Sequence, residues 1–314
     1  MKGRGKTVAE SGNDRRLWKR IVQNKWTYIF FLPTLIYLGI FSYAPFYGLQ
    51  IAFKDYKIYQ GIAASEWVGL KWFEMIITDP KIYKLLWNTV KISVIKSVFL
   101  MPAPIIFAIL LTEAKGKMFK KSVQTITYFP NFLSWVVFGG IVYNFTGPYG
   151  VFNQILTNMG MDSVNLVTNP DAFIPMLVIT ELIKNTGYSS IVYMAAIAGV
   201  DEQLYEAAAI DGAGRLRQIW HVMPNLGIRP MICFSLCMSV SGVLNAGFEQ
   251  ILIFLNQPLY EVGDVLDTYI FRLGLGSGEY ELSTAAGLLK GIVGTTLLVI
   301  ANTFSRKVGE RSVW

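Results

Sequence analysis

Only two cysteines and one histidine occur among the 314 residues, and charged side chains make up just 16% of the chain. Cys233 and Cys237 stand four apart in one apolar run. Within a single helix that spacing cannot meet disulfide geometry, so they read as small buried side chains. With His221 as the lone histidine, there is almost no material for a metal centre or for Cys/His catalysis. The phosphate loop G-x4-G-K-[ST] does not occur either, which excludes ATP hydrolysis by this chain alone. An ordinary soluble domain carries about 25% charged residues. A chain so much poorer in charge must turn a large part of its surface toward something other than water. Its net charge of +7 is not gathered into a patch. The basic residues are dispersed between apolar runs, as in a polytopic membrane protein and unlike a nucleic-acid binder.

Six stretches approach the roughly 20 apolar residues that a bilayer-spanning helix needs. They are 28–53, 86–111, 123–145, 173–198, 228–254 and 282–304. The first is too long for the core of a signal peptide and has no small-residue cleavage site before Lys54, so it reads as a retained helix. Prolines 33, 45, 102, 104, 130 and 175 fall inside these stretches, where each removes a backbone donor and can kink its helix. Lysine and arginine mark the cytoplasmic side. Eighteen lie in the N-terminal segment, the loops after spans two and four, and the C-terminal tail, against six in the opposite loops. Residues 147–171 carry none. The sequence therefore predicts an all-α membrane protein with six transmembrane helices and both termini cytoplasmic. A cytoplasmic segment covers 1–27, a membrane domain 28–304 and a tail 305–314. Within the first segment, 15–26 reads either as an amphipathic helix lying in the membrane interface or as a basic tail that sets topology.

The most informative segment is the predicted cytoplasmic loop 201–224. Asp201 suits a helix N-cap, with Glu202 in the first turn and Leu204, Ala207, Ala208 and Ile210 giving an apolar side. Gly212 and Gly214 suit its stop. Leu216, Ile219 and Trp220 then form the apolar side of a second helix ended by Pro224. A helix, turn, helix unit of this kind is more than a connection requires, and it reads as a docking element.

Glu206-Ala207-Ala208, three residues, then Gly212, with Pro224 downstream, resembles the EAA motif of the membrane subunits of bacterial ATP-binding-cassette importers. The stretch between Gly212 and Pro224 is one residue shorter than is usual there, a departure that bears on the second helix. Further strings resemble the carbohydrate-uptake (maltose-type) branch and its LplB-like subgroup: 41–56, 67–73, Asn88-Thr89, 129–137, 247–251 and 263–274. The resemblance implies the type I importer fold and a coupling helix that seats in an ATPase subunit, with Glu206, Ala207, Ala208, Asp211, Gly212 and Pro224 as its signature. It also implies a second, paralogous permease subunit, a cytoplasmic ATPase dimer holding ATP and Mg2+, and an extracytoplasmic solute-binding protein. By the same resemblance, the chain is a non-catalytic permease in a bacterial inner membrane that passes a carbohydrate inward and binds no cofactor of its own. Uptake of another solute class, or secondary transport without ATPases, are the alternatives. A membrane enzyme acting on lipid-linked sugars would need clustered acids or histidines that this sequence does not offer.

Ionisable residues inside spans are costly and therefore candidates for function. Lys91 and Lys96 either snorkel or meet carbonyls. Glu181 and Lys184, three apart, either neutralise each other or line a polar route with Asn185, Tyr188, Asn245 and Glu249, side chains suited to sugar hydroxyls and flat sugar faces. The acidic segment 256–282 reads as a face for the binding protein, with solvated loop acids or a calcium site as the other readings.

Overall fold

The computed structural model describes residues 23–223 and 228–307. Pro224, residues 15–22 of segment 15–26 and most of the tail lie outside them. The chain divides into two compact units, 1–72 and 73–314.

In the first unit, α1 (Lys25–Leu38) runs on through a π turn (Gly39–Tyr43) and a 3-10 helix (Ala44–Phe53). The change of winding falls at Pro45, which has no N–H to give and whose ring would press on the carbonyl four residues back. Ala44 N–H reaches back to Gly39 O, and this wider turn makes room for the ring. Phe30, Phe41 and Tyr43 are largely exposed, as in a helix that is apolar all round and suited to lipid. A short antiparallel pair follows, β1 (Lys54–Asp55) with β2 (Glu66–Trp67), in the register Lys54 to Trp67. The rings of Phe53 and Trp67 stack at 5.5 Å, and Trp72 Nε1 donates to Lys54 O at 2.9 Å. This pair departs from the all-helical expectation.

Among its described residues the second unit has helices joined by loops and no strand. Asp79 caps α2 (Pro80–Leu100), which meets α3 (Pro102–Glu113) at a proline and forms one apolar run with it. The expected third span is not one helix. α4 (Lys117–Tyr128) tightens into a 3-10 turn (Phe129–Phe132), and the chain bends by 105° before α5 (Trp135–Thr146). Pro130 lacks the donor that would continue the helix, and Ser134 Oγ accepts from Val137 N to start a new one. After α6 (Val151–Asn158) comes α7 (Pro170–Ala198), unbroken by Pro175 and about 43 Å long at 1.5 Å per residue. The expected fifth span is likewise divided, into α10 (Arg229–Ser241) and α11 (Phe248–Phe254), with Gly247 at φ +90° in the gap. α12 (Leu266–Phe271) and α13 (Tyr280–Lys307) complete the unit. By length and apolarity, the helical runs 25–53, 80–113 and 280–303 can cross a bilayer, and the bent pair α4–α5 can serve as a fourth.

α7 is the hub. Toward its start, Phe173, Met176 and Leu177 pack with Ile92, Ile251, Phe254 and Val265. Toward its end, Tyr193 and Ile197 pack with Ala108 and Ile228. Between the two clusters α7 crosses α4 at Gly187, where a Cβ would fall on the backbone carbonyl of Thr127. Two strings singled out in the sequence prove to be partners. Asn88 Nδ2 donates to the carbonyls of Glu261 and Asp264, both at 3.1 Å, and Thr89 Oγ1 accepts from Leu266 N at 3.0 Å. Asn88→Ala strands two carbonyls in a buried place. It should cost about 1–3 kcal/mol, read as a lowered melting temperature in detergent while Lys91→Ala, on the same helix, changes little.

Candidate functional site

The gap 242–247 between α10 and α11 interrupts the helical ladder, and one lysine takes its carbonyl at Ala246. Lys96, on α2 and almost fully buried, donates to Ala246 O at 2.9 Å and to Gln250 Oε1 at 2.8 Å, and forms an ion pair with Glu181 of α7. Gln250 in turn donates to Leu177 O at 2.7 Å and to Thr180 Oγ1 at 2.8 Å. Three helices are thus tied at the break by a nearly saturated polar network, the condition under which buried charge is tolerated. Gly247 is required twice here: by its positive φ, and because a Cβ would collide with Lys96 Nζ.

Glu181 and Lys184 therefore do not neutralise each other. Lys184 turns to the other break, donating to the carbonyls of Pro130, Asn131 and Leu133 at 3.2, 3.0 and 2.6 Å, with its ammonium 5.3 Å from the Trp135 ring centroid. Three residues along a helix turn the side chains by about 300°, or 60° short of a full circle; the long-range partners win because each break offers bare carbonyls. Asn185 accepts from Asn131 Nδ2 at 3.1 Å, and Tyr188 meets Phe132 edge-on.

Two cavities flank the gap. One, of about 540 Å³, is bordered by Lys96, Glu181, Tyr188 and Asn245 and by the hydroxyls of Ser93, Ser97, Ser189, Ser235 and Ser239. Ser93 Oγ is buried with no hydrogen-bond partner among the described residues. The other, of about 600 Å³, has Trp135, Phe248 and Phe271 with Glu249, Asn245 and the pair Asp267–Lys290, whose closest contact is 2.5 Å. Of the six residues expected on a polar route, Glu181, Tyr188, Asn245 and Glu249 border these spaces, while Lys184 and Asn185 hold the bend before α5. The serines and Lys290 were not singled out in the sequence, and Gln250 and Asp267 stood only within the strings 247–251 and 263–274, not as residues of a polar route. The one signal of the serines is helical spacing, as in Ser93 and Ser97 or Ser235 and Ser239.

Three acids of the acidic segment, Asp264, Glu261 and Asp267, are held in ion pairs, the first within the segment and the other two with lysines outside it. Asp264 meets Arg272 at 2.5 Å, and Glu261 meets Lys84 at 2.8 Å. The Lys84 ammonium holds the exposed Glu261 carboxyl below its usual value. Among the described residues, no group of three potential metal ligands occurs.

The loop after α7 folds as two short helices, α8 (Glu202–Ile210) and α9 (Arg215–Met223). Asp201 caps α8, accepting from Gln203 N at 3.0 Å. Its end is a Schellman turn: Ala213 N–H bonds Ala208 O at 2.9 Å, Gly212 N–H bonds Ala209 O at 3.0 Å, and Gly212 takes φ +78°. Glu206, Ala207 and Asp211 are exposed, Ala208 is half-buried, and Ile210, Leu216 and Trp220 stand out into the surroundings. The shortened stretch after Gly212 still forms its helix. Arg215 makes a two-pronged pair with Glu113 at the end of α3, both contacts 2.8 Å. The hydrogen bonds that Arg215 donates to the Glu113 carboxylate push its pKa further up, and burial raises that of Tyr205 beneath it.

Residues 101–310 match the family of binding-protein-dependent transport system inner membrane components. The chain belongs to this family. It is 39% identical over 302 residues to the polygalacturonan/rhamnogalacturonan transport system permease protein YteP of Bacillus subtilis (strain 168), covering 96% of this chain and 94% of that one. It is 36% identical over 315 residues to Protein LplB of the same organism, covering 100% and 98%. A chain of a bacterial alginate ABC transporter, solved in complex with an alginate pentasaccharide-bound periplasmic protein, superposes with a TM-score of 0.85 at 36% identity, over 95% of this chain and 100% of that one. As an inner membrane transport component, the chain presents hydroxyl-lined cavities beside a divided helix and a two-helix loop whose Ile210, Leu216 and Trp220 are exposed.

Proposed function

We propose that this chain is the permease subunit of an ATP-driven, binding-protein-dependent importer that carries an oligosaccharide into the cytoplasm of a bacterium. The observation that carries the reading is the α8–α9 loop. Its Schellman turn fixes the angle between two helices whose Ile210, Leu216 and Trp220 are exposed beside Glu206, Ala207 and Asp211, a surface suited to an ATPase cleft. The first cavity supports the sugar, since it offers hydroxyls and an uncommitted buried Ser93 Oγ to groups that both donate and accept. The carbohydrate and polysaccharide transport named for YteP and the alginate transporter supports the same class.

In this reading α7 and the divided pair α10–α11 also cross the membrane, giving six crossings, with both termini and loop 201–224 in the cytoplasm, within a transport domain covering 28–304. A paralogous permease completes the pathway, an ATPase dimer with ATP and Mg2+ docks on the loop, and an external binding protein delivers the sugar. The chain itself carries out no chemistry. ATPase closure acts through differential contacts in two states. Co-purification in nanodiscs tests this. The native chain should retain its ATPase, whereas Glu206→Lys and Gly212→Pro should lose at least tenfold of it while keeping the partner permease. Proline at 212 removes the N–H to Ala209 O and cannot adopt φ +78°. If the variants retain as much ATPase as the native chain, the loop is not the docking element.

A further inference from the structure

We propose that the Arg215–Glu113 pair is the link that converts displacement of the α8–α9 loop into displacement of α3, so that Arg215 and Glu113 are positioning residues for coupling; this rests on the importer reading above. Motion of a docked loop reaches α7 along the chain itself, but it reaches α3, which is not joined to the loop, through side-chain contacts that resist sliding. Between the loop and the helix ends lies a space of about 320 Å³ bordered by Thr112, Ile197, Tyr205 and Arg215, so the loop is not packed down solidly there. What remains is of two kinds. Tyr205 and Ile219 rest on the cluster of Ala108, Tyr193, Ile197 and Ile228, a contact that is non-directional and tolerates shear. The guanidinium of Arg215 grips both carboxylate oxygens of Glu113 at 2.8 Å in parallel, which fixes distance and orientation together.

The surroundings hold this geometry. Arg215 NH1 donates to Gln218 Oε1 at 3.2 Å, Gln218 Nε2 donates to Ala213 O at 3.0 Å, and the guanidinium lies 5.8 Å from the Tyr205 ring centroid. The arginine is thereby joined both to the turn that follows Gly212 and to the face of α8. Glu113 is the last residue of α3, and α3 continues the run from α2, which carries Lys96. Displacement of the turn therefore reaches the helix that holds the gap between α10 and α11. The Arg215 side chain is 57% exposed and that of Glu113 23%, so the melting temperature of the single variants is the measurement that separates a role in coupling from a role in folding.

The test uses the assembled transporter in proteoliposomes, comparing the native chain with Glu113→Gln, Arg215→Ala and the exchange Glu113→Arg with Arg215→Glu. The readouts are ATPase retention, ATP hydrolysis and solute uptake per ATP, with neutral and uronate-containing oligosaccharides as probes. Each single variant should keep its ATPase and its melting temperature but lose about fivefold or more of uptake per ATP, and the exchange should recover much of it. Unchanged uptake per ATP in the single variants, no recovery in the exchange, or loss of the ATPase itself would each overturn the link. A native chain that retains no ATPase would instead remove the importer reading on which the link stands.

Discussion

Replacing Lys96 with methionine should be among the most damaging single changes in the second unit. Three dependants lose their partner at once: the half-buried Glu181 carboxylate, the Ala246 carbonyl in the gap, and Gln250 Oε1. Removing one member of a buried ion pair leaves an uncompensated charge and costs about 3–5 kcal/mol. In a marginally stable chain that is a large share of the total. A thermal-shift series in detergent should show a drop of many degrees for Lys96→Met. The double variant with Glu181→Gln should regain much of it, because no charge is then stranded. If Lys96→Met melts like the native protein, the network does not hold the break and the account of the gap is wrong.

The second large effect is expected at Gly187. A methyl group there meets the Thr127 carbonyl, which is backbone and cannot swing aside, so α7 and α4 must separate. Overpacking of this kind costs about 1–3 kcal/mol, and Gly187→Leu should exceed Gly187→Ala. Gly140 is the matched control: it sits inside α5 with nothing within 4 Å of an added Cβ. Gly140→Ala should stabilise by roughly 0.5–1 kcal/mol through backbone entropy. Opposite signs for two glycine-to-alanine changes in the same unit are a sharp expectation. Equal effects would show that close approach at Gly187 is not what the residue serves.

How much was legible beforehand depended on the range of the interactions involved. The runs beginning near residues 28, 86, 173 and 282 were readable because apolarity over 20 residues is a local property, and the two helices of loop 201–223 because caps and αL glycines are local too. The bend at 133–134 was readable only as a proline kink. A full turn of 105° needs Ser134 as a fresh N-cap, and Ser-Trp-Val-Val inside an apolar run gives that role little contrast. The gap at 242–247 falls inside the stretch 228–254, which reads as a single span, and its carbonyl at Ala246 is held by Lys96, far away in the chain. Glu181 and Lys184 look like partners because they are near in sequence. Each instead serves a distant group, Lys96 in one case and the carbonyls at 130–133 in the other, and no periodicity reports that. The same holds for Asn88 with residues 261–264: both strings stood out, but their contact did not.

The gap has one more consequence. Asn245 and Gly247 border both of the larger cavities, so for a solute the wall between them is a few residues of unladdered backbone pinned by one ammonium group. That same ammonium group, bonded to Ala246 O from α2, therefore shapes both rooms at once, and a substitution at Lys96 alters their common wall as well as the fold.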